Sequence, residues 1–252
     1  METKLDGTRV LVTGGTRGIG RAIARAYAQA GAIVALSYAH DPDAAHEVVE
    51  ELSASGRSAF AVELDLSDRD SVGAAVESAA ERLGGLDVLV ANAVRWPVDA
   101  RAPLLESEPD AWERAVHVNL DGTVATVRAA LPHLAESQAG RIVLISSGVS
   151  RHGMAGATAY AAGKAALDGL MAALKWEVGE HGVLVNIVSP GFTVTENNLA
   201  RFPDETREMV RARTPSGKLS TPEDVAAAVL FLGSPANGNV SGAYLPVAGG
   251  TD

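Results

Sequence analysis

Three side chains in the second half of the chain have the types and spacing needed to move a proton. Ser147 follows an apolar run, and Tyr160 and Lys164 lie four residues apart in an alanine-rich stretch. Four residues place two side chains on one face of a helix. A lysine ammonium beside a phenol favours the phenolate, which moves the tyrosine pKa from about 10 towards neutrality. The trio predicts acid–base chemistry at a carbonyl whose oxygen Ser147 holds.

A glycine-rich turn near the amino end predicts a site for a phosphate-bearing ligand. Gly14, Gly18 and Gly20 lie between a short apolar run and an amphipathic segment. Glycines let the backbone approach a pyrophosphate, and the N–H groups and positive dipole end of the following helix point at it. Such a turn can also simply join a strand to a closely packed helix. A Tyr-x-x-x-Lys pair is likewise more often a surface pair, so the functional interpretation depends on the two features occurring together.

Residues after the second and third predicted strands indicate which dinucleotide would bind. No acid ends the second strand, whereas Ser37, Arg17 and His40 offer hydrogen-bond donors there. A basic neighbourhood suits a 2′-phosphate, so the sequence favours NADPH/NADP+, although Arg17 and His40 are also ordinary surface residues. Asp65 is predicted either to accept from the adenine amino group or to cap the helix that follows.

These residues need a scaffold, and the chain alternates Val- and Ile-rich runs with longer amphipathic segments. That pattern is typical of βαβ units around a buried parallel sheet, so the class is α/β. Two helix starts combine a hydroxyl N-cap, a proline and an acid, with Ser107 and Thr221 as the caps. Residues 189–215 read as one long irregular segment, a candidate lid. The predicted strands are 9–13, 33–37, 59–64, 87–91, 141–146, 184–188 and 243–247, with about six helices between them.

Composition excludes several classes of function. The 252 residues are 47% hydrophobic without a change of composition along the chain, which predicts one domain over 1–252. Zero cysteines exclude thiolate chemistry and cysteine metal sites, and no metal site is predicted. A net charge of -10 disfavours nucleic acid and anionic membranes as partners. No leader or membrane-spanning run is apparent, so we expect a cytoplasmic protein.

Taken in order, the motifs resemble those of the short-chain dehydrogenase/reductase family along nearly the whole chain. They are TGGTRGIG at 13–20, the aspartate of LDLSD, ANA at 91–93, VNL at 118–120, Ser147, YAAGK at 160–164 and NIVSPGFTVT at 186–195. The resemblance implies a single Rossmann-type domain, a doubly wound parallel seven-stranded sheet with helices on both faces. Within the family the chain is most similar to β-ketoacyl-carrier-protein reductases and polyketide ketoreductases.

The resemblance also implies roles for individual residues. Asn119 joins Ser147, Tyr160 and Lys164 in the catalytic set by holding a water in a proton relay, and Lys164 also binds the nicotinamide ribose. Thr195 and the backbone after Pro190 meet the carboxamide. The full set of implied or predicted cofactor contacts is Gly14, Thr16, Arg17, Gly18, Ile19, Gly20, Ser37, His40, Asp65, Leu66, Asn92, Ala93, Tyr160, Lys164, Pro190, Gly191, Thr193 and Thr195.

The predicted activity is NADP(H)-dependent reduction of a ketone, with Tyr160 giving its proton to the carbonyl oxygen, in polyketide, other secondary or fatty-acid metabolism. A non-catalytic cofactor-binding regulator, an enoyl reductase, an epimerase and an alcohol or sugar dehydrogenase remain alternatives. Segments 94–101, 148–157 and 192–202 are the expected substrate walls. Trp96, Met154 and Phe192 offer apolar surface there, while Arg95 and Arg151 are candidates for an anionic group or are simply solvated.

Two further expectations concern the loop after the fourth strand and the assembly. Val94 stands where the family usually has glycine, and because valine resists positive φ, we expect ordinary extended backbone there. The substrate is expected to be a small carbonyl compound, free or carrier-bound. The resemblance implies a homotetramer or homodimer in which the helix from Thr158 packs across an interface, although its apolar face could equally be used within the subunit.

Overall fold

The structure is a computed structural model and describes residues 4–96 and 102–251. Seven strands form one parallel sheet in the order β3-β2-β1-β4-β5-β6-β7. The strands are β1 (Arg9–Val12), β2 (Ile33–Tyr38), β3 (Ala59–Glu63), β4 (Val88–Ala91), β5 (Arg141–Ile145), β6 (Leu184–Pro190) and β7 (Tyr244–Val247). All seven predicted strands are confirmed, with ends that differ by one or two residues.

Nine α-helices lie within the described part of the chain, more than the six expected. They are α1 (Gly18–Gln29), α2 (Pro42–Ala54), α3 (Arg69–Leu83), α4 (Pro109–Ala135), α5 (Val149–His152), α6 (Thr158–Glu177), α7 (Glu196–Arg201), α8 (Asp204–Arg213) and α9 (Pro222–Leu232). The prediction of an irregular segment over 189–215 was wrong, because α7 and α8 occupy most of it.

Helices cover both faces of the sheet, as the continuous apolar strands require. On one face Ile23 of α1, Val48 of α2 and Val229 of α9 pack against the strands. On the other face the contacts come from α3, α4 and α6, through side chains such as Val76 and Val127. The predicted doubly wound, Rossmann-type α/β fold is confirmed.

One of the two predicted helix caps is confirmed. Thr221 accepts from the backbone N–H of Asp224, and the Asp224 carboxylate accepts from the backbone of Thr221 in return. Ser107 was wrongly predicted as a cap. Its hydroxyl donates to the carbonyl of Leu104, and α4 begins one residue later than expected with Glu108 in the cap position.

The order of the strands fixes where a ligand can bind. β1 lies between β2 and β4, so the connections that leave β1 and β4 turn to opposite faces. Open α/β sheets bind ligands outside the carboxyl ends of the strands at such a switch point. The glycine turn and the residues after β4, β5 and β6 all follow strand ends at this edge. Among the described residues, no helix is long and apolar enough to cross a membrane.

Candidate active site

The glycine turn is shaped for close approach of a ligand to the backbone. Gly14 has φ +65°, which favours glycine, and a Cβ on Gly20 would overlap the carbonyl oxygen of Gly14. α1 begins at Gly18, and Arg17 in the cap position makes no side-chain hydrogen bond to the first turn. The first-turn N–H groups have no acceptor within the helix. The turn therefore fits the phosphates of a dinucleotide, as the sequence predicted.

Asn92 and Thr13 hold this turn against the end of β4. The Asn92 side-chain amide donates to the carbonyls of Thr13 and Gly14 at 2.9 and 3.1 Å. The Thr13 hydroxyl accepts from the backbone N–H groups of Asn92 and Ala93 at 3.0 and 2.9 Å. Asn92 therefore ties the end of β4 to the end of β1, and its predicted contact with the cofactor stays a prediction. Thr13 was not singled out from the sequence, although it begins the TGG motif.

The loop after β4 has ordinary backbone despite lacking a glycine. No described non-glycine residue has positive φ, and Val94 is therefore unstrained and 43% exposed. The predicted backbone at Val94 is confirmed in this respect. A substrate wall was predicted over 94–101, and its part from 97 to 101 lies outside the described residues.

Ser37 was predicted to bind the cofactor, and the structure corrects this role. Its side chain is 1% exposed, and its hydroxyl accepts from the N–H of Gly14 at 3.0 Å. A hydroxyl that is buried and bonded to Gly14 is shielded from a bound ligand. Ser37 instead supports the glycine turn, whereas Arg17 and His40 are exposed.

Asp65 is held at the carboxyl edge by hydrogen bonds from Ser67. Its Oδ1 accepts from the hydroxyl of Ser67 at 2.7 Å and from the backbone N–H of Ser67 at 2.8 Å. These bonds, with smaller contributions from His40 and Arg95, lower the pKa of Asp65. The alternative that Asp65 caps a helix was wrong, because Asp68 caps α3. A contact between Asp65 and adenine stays a prediction.

The remaining predicted cofactor residues divide into two groups. Thr195 lies beside the glycine turn, because a Cβ on Gly18 would meet the Thr195 methyl group at 3.3 Å. Pro190 lies next to the segment after β5, since its carbonyl accepts from the backbone N–H of Gly148 at 3.1 Å. The side chains of Thr193 and Leu66 are buried. The Thr193 hydroxyl donates to the Gly191 carbonyl, and the Leu66 side chain lies against Gly122. Only the backbones of these two residues are therefore left to contact a ligand. Thr16, Ile19 and Gly191 are partly exposed at this edge.

Helix α6, which carries Tyr160 and Lys164, is fixed to the end of β5 by two hydrogen bonds. Lys164 Nζ donates to the carbonyl of Ile145 at 2.7 Å, and the Ser146 hydroxyl donates to the carbonyl of Lys164 at 3.1 Å. Ser147 follows directly and lies next to Tyr160. The predicted grouping of Ser147, Tyr160 and Lys164 is therefore present in the fold.

Burial sets the acid–base properties of this group. It raises the pKa of Tyr160, and a hydrogen bond from Ser147 opposes the rise because it stabilises the phenolate. Burial lowers the pKa of Lys164 to about 8. The predicted shift of the Tyr160 pKa towards neutrality is not seen in this structure, because the effect of burial exceeds the lowering influence of Ser147. A lowering influence of Lys164 stays a prediction.

The side chain of Asn119 is used within the protein, and its predicted role in a proton relay stays a prediction. Its amide donates to the carbonyls of Arg95 and Ala115, both at 2.9 Å, and its Oδ1 accepts from the N–H of Arg95 at 2.9 Å. The side chain thus holds the loop that carries Trp96. A water at Asn119 would have to use the backbone carbonyl, which already accepts from Thr123 at 2.7 Å.

Trp96 connects this loop to the catalytic tyrosine. The rings of Trp96 and Tyr160 have centroids 4.7 Å apart, inclined at 51°. Phe192 and Phe202 pack edge to face at 5.3 Å on the segment after β6. Met154 is 37% exposed. These apolar side chains agree with the predicted substrate walls as far as the described residues extend.

A sequence model from the short-chain dehydrogenase/reductase group, described as enoyl-(acyl carrier protein) reductase, matches residues 14–252. The chain belongs to the short-chain dehydrogenase/reductase family. It is therefore an oxidoreductase of that family, and the prediction of an enzyme is confirmed.

Similar proteins support this family and differ among themselves in activity. An L-rhamnose 1-dehydrogenase (NAD(P)(+)) from Sphingomonas sp. is 40% identical over 98% of this chain and 96% of its own length. A 3-oxoacyl-[acyl-carrier-protein] reductase from Aquifex aeolicus is 38% identical over 99% of both chains. A crystal structure of a Burkholderia cenocepacia short-chain dehydrogenase in complex with NADP has a TM-score of 0.90, at 38% identity over 98% of each chain.

Proposed function

We propose that the protein is an NADP(H)-dependent oxidoreductase that reduces a ketone to a secondary alcohol. The observation that carries this proposal is that the Ser147 hydroxyl lies near enough to the buried Tyr160 phenol to oppose the rise of its pKa, beside the buried Lys164. A phenol and a hydroxyl that already contact each other can share one carbonyl oxygen between them. The glycine turn lies at the same edge of the sheet.

The preference for NADPH/NADP+ is supported by charge and by similarity. No acid stands at the end of β2, and the exposed Arg17 and His40 flank the position expected for a 2′-phosphate. The similar Burkholderia enzyme was crystallised with NADP. The cradle of Gly14 and Gly20 admits phosphates because neither residue brings a side chain.

The mechanism assigns one task to each residue. When bound, the nicotinamide supplies the hydride for the carbonyl carbon. Tyr160 gives its proton to the carbonyl oxygen, so no free alkoxide is released. Ser147 orients that oxygen and stabilises the negative charge that develops on it. The raised pKa of Tyr160 keeps the phenol protonated before substrate arrives.

Lys164 and Asn119 are proposed to support the return of the proton. Lys164 uses one N–H for the Ile145 carbonyl, which leaves two donors for a ribose hydroxyl and for the phenolate. Asn119 contributes a backbone carbonyl at which a water can sit, while its side chain holds the loop of Trp96. The reverse oxidation uses the same groups.

A second candidate is oxidation of a sugar or other alcohol, which the 40% identity to a rhamnose dehydrogenase favours. A role in polyketide, secondary or fatty-acid metabolism has support from the similarity to a 3-oxoacyl reductase. Enoyl reduction and epimerisation have less support. Enoyl reduction needs protonation at carbon, and the four-residue Tyr160–Lys164 spacing suits protonation of a carbonyl oxygen.

A cofactor-consumption assay separates these activities. Purified protein is mixed with NADPH and a panel of ketones and enoyl thioesters, and in the reverse direction with NADP+ and secondary alcohols. We expect NADPH oxidation with ketones and none with enoyl thioesters. Turnover of enoyl thioesters without turnover of ketones would refute the proposal, and oxidation of sugars alone would favour the second candidate.

We further propose that the enzyme is a homotetramer or homodimer acting on a small carbonyl compound in the cytoplasm. The support for assembly is the family resemblance. A single exposed apolar side chain does not by itself mark an interface, and Trp176, which is 82% exposed on the last turn of α6, is the residue chosen to test the assembly.

A further inference from the structure

Trp96 contacts both Tyr160 and a side chain of the helical segment that follows β6. We call this segment, α7 and α8, the lid. The Trp96 ring lies 4.7 Å from the Tyr160 ring, and the guanidinium carbon of Arg201 lies 5.0 Å from the Trp96 ring on the lid side. Trp96 therefore contacts both the Tyr160 ring and the charged group of Arg201.

The way Arg201 is held leaves its hydrogen-bond donors available. A guanidinium over an aromatic ring uses its face, whereas its five N–H groups lie in its own plane. Arg201 is exposed, and no carboxylate within 4–96 or 102–251 forms an ion pair with it. A planar set of free donors suits a carboxylate, which can accept two parallel hydrogen bonds.

Two neighbouring arginines of the lid do not have this freedom. Arg207 donates to the carbonyls of Leu199 and Phe202 and pairs with Asp204. Arg211 pairs with Glu208 at 2.6 Å. These two side chains stabilise the lid itself.

The two arginines that the sequence offered for an anionic group are also engaged elsewhere. Arg151 lies over the Tyr244 ring at 3.3 Å and reaches Asp168 at 3.7 Å, so it links α5 to α6 and β7. The charge of Arg95 acts on Asp65, on the side expected to bind the cofactor. Arg201 is the better placed cation for a substrate bound against Trp96.

On the basis of the proposed ketone reduction, we propose that Arg201 binds a carboxylate of the substrate and that the preferred substrates are oxo acids with an apolar body. The ketone lies at Tyr160 and Ser147, and the carboxylate lies beyond the Trp96 ring. The indole of Trp96 is the apolar surface proposed to contact the body of the substrate, and the Phe192–Phe202 pair on the segment after β6 is a second candidate. A protein of net charge -10 repels anions at long range, so a local cation is needed to select one.

A matched pair of ketones tests this assignment. para-Acetylbenzoate and para-acetylbenzamide have the same ketone and nearly the same shape, but only the first carries a charge. We expect wild-type kcat/KM to be about 10- to 100-fold higher for the acid, because charge-assisted hydrogen bonds add that much affinity. In Arg201→Gln we expect equal kcat/KM for the acid and the amide. The KM for the acid should rise, whereas kcat and KM for the amide should stay unchanged.

Two further variants make the result specific. Arg201→Lys keeps the charge but loses the planar donors, so it should restore only part of the preference. Arg57→Gln removes the same charge at the opposite edge of the sheet, where Arg57 precedes β3, and should keep the full preference.

The outcomes separate this inference from the function on which it rests. Equal wild-type turnover of acid and amide, or an acid preference that survives in Arg201→Gln, would overturn the role of Arg201 and leave ketone reduction intact. Failure of the wild type to reduce either ketone, with NADPH bound, would count against the proposed reduction and against this inference together.

Discussion

At the scale of residues, burial determines what the catalytic side chains can do. The sequence placed Tyr160 and Lys164 on one face of a helix but did not show that both would be shielded from water. In the fold, burial raises the pKa of the phenol and lowers that of the ammonium to about 8. A lysine that gives up its proton more readily suits an acid that must be reprotonated after each turnover.

The lowered pKa of Lys164 predicts a particular dependence of stability on pH. In the unfolded chain the pKa of lysine is about 10.4, so between pH 8 and that value the unfolded state binds more protons than the folded state. The free energy of unfolding contributed by this group should therefore rise with pH. We expect the difference between wild type and Lys164→Met to grow by about 1–3 kcal/mol in favour of wild type from pH 8 to pH 10.

Chemical denaturation of the cofactor-free protein at both pH values measures this difference. Lys175→Met is the matched control, because Lys175 lies on the same helix with its side chain partly exposed. A difference between wild type and Lys164→Met that stays constant with pH would contradict the assigned pKa.

The direction of a side chain is what sequence reasoning could not supply. Ser37, Thr193 and Asn119 have suitable types at suitable positions, yet each points into the protein and bonds to backbone. Arg201 was not recognised, because nothing in its local sequence shows that Trp96 comes from another loop to meet it. Motif spacing predicted the proposed catalytic residues but not the hydrogen bonds of the residues around them.

At the scale of elements, short-range patterns predicted the strands and the long helices well. Apolar runs of four to seven residues gave all seven strands. The two helices of the lid were missed for a physical reason. α7 has six residues, which is too short for an apolar spacing to repeat along the helix. α8 has no buried residue, so its sequence shows no apolar face.

The glycine turn is the element whose geometry is most sensitive to substitution. A methyl group on Gly20 would overlap the Gly14 carbonyl and lie 2.6 Å from the Asn92 amide nitrogen, so the turn or α1 must move. We expect Gly20→Ala to lower the free energy of unfolding by about 2–4 kcal/mol and to weaken NADPH binding at least about tenfold. Denaturation and fluorescence titration with NADPH measure the two effects.

Gly73→Ala is the matched control for this substitution. Gly73 lies on α3, and a methyl group there would extend into open space, so alanine should stabilise the protein by about 0.5–1 kcal/mol without changing NADPH affinity. Wild-type affinity in Gly20→Ala would show that the turn does not form the phosphate site.

At the scale of the whole molecule, alternation of strand and helix was sufficient to give the fold. Seven repeats of the same pattern leave few arrangements other than a parallel sheet covered on both faces. The substrate was not predictable in the same way. It depends on how the loop after β4, α5 and the lid meet in space, and these segments are far apart in sequence.

Assembly is also a property of the whole molecule and can be tested directly. Trp176 is 82% exposed on α6, and burying it against a second copy would remove apolar surface from water. We expect light scattering to show a tetramer or dimer for wild type and smaller species for Trp176→Glu.

Leu199→Glu provides the control for assembly. Leu199 is 44% exposed on α7, so the same introduced charge on the lid should leave the molar mass unchanged. A wild-type protein that is monomeric at micromolar concentration would contradict the proposed assembly.

The most direct test of the account is the rate of ketone reduction by Tyr160→Phe. This variant removes the proton donor and keeps the ring that contacts Trp96. With para-acetylbenzamide, a neutral substrate independent of Arg201, we expect kcat to fall by about 10²- to 10⁴-fold while NADPH still binds. Reduction at the wild-type rate would show that Tyr160 is not the acid and would contradict the proposed mechanism.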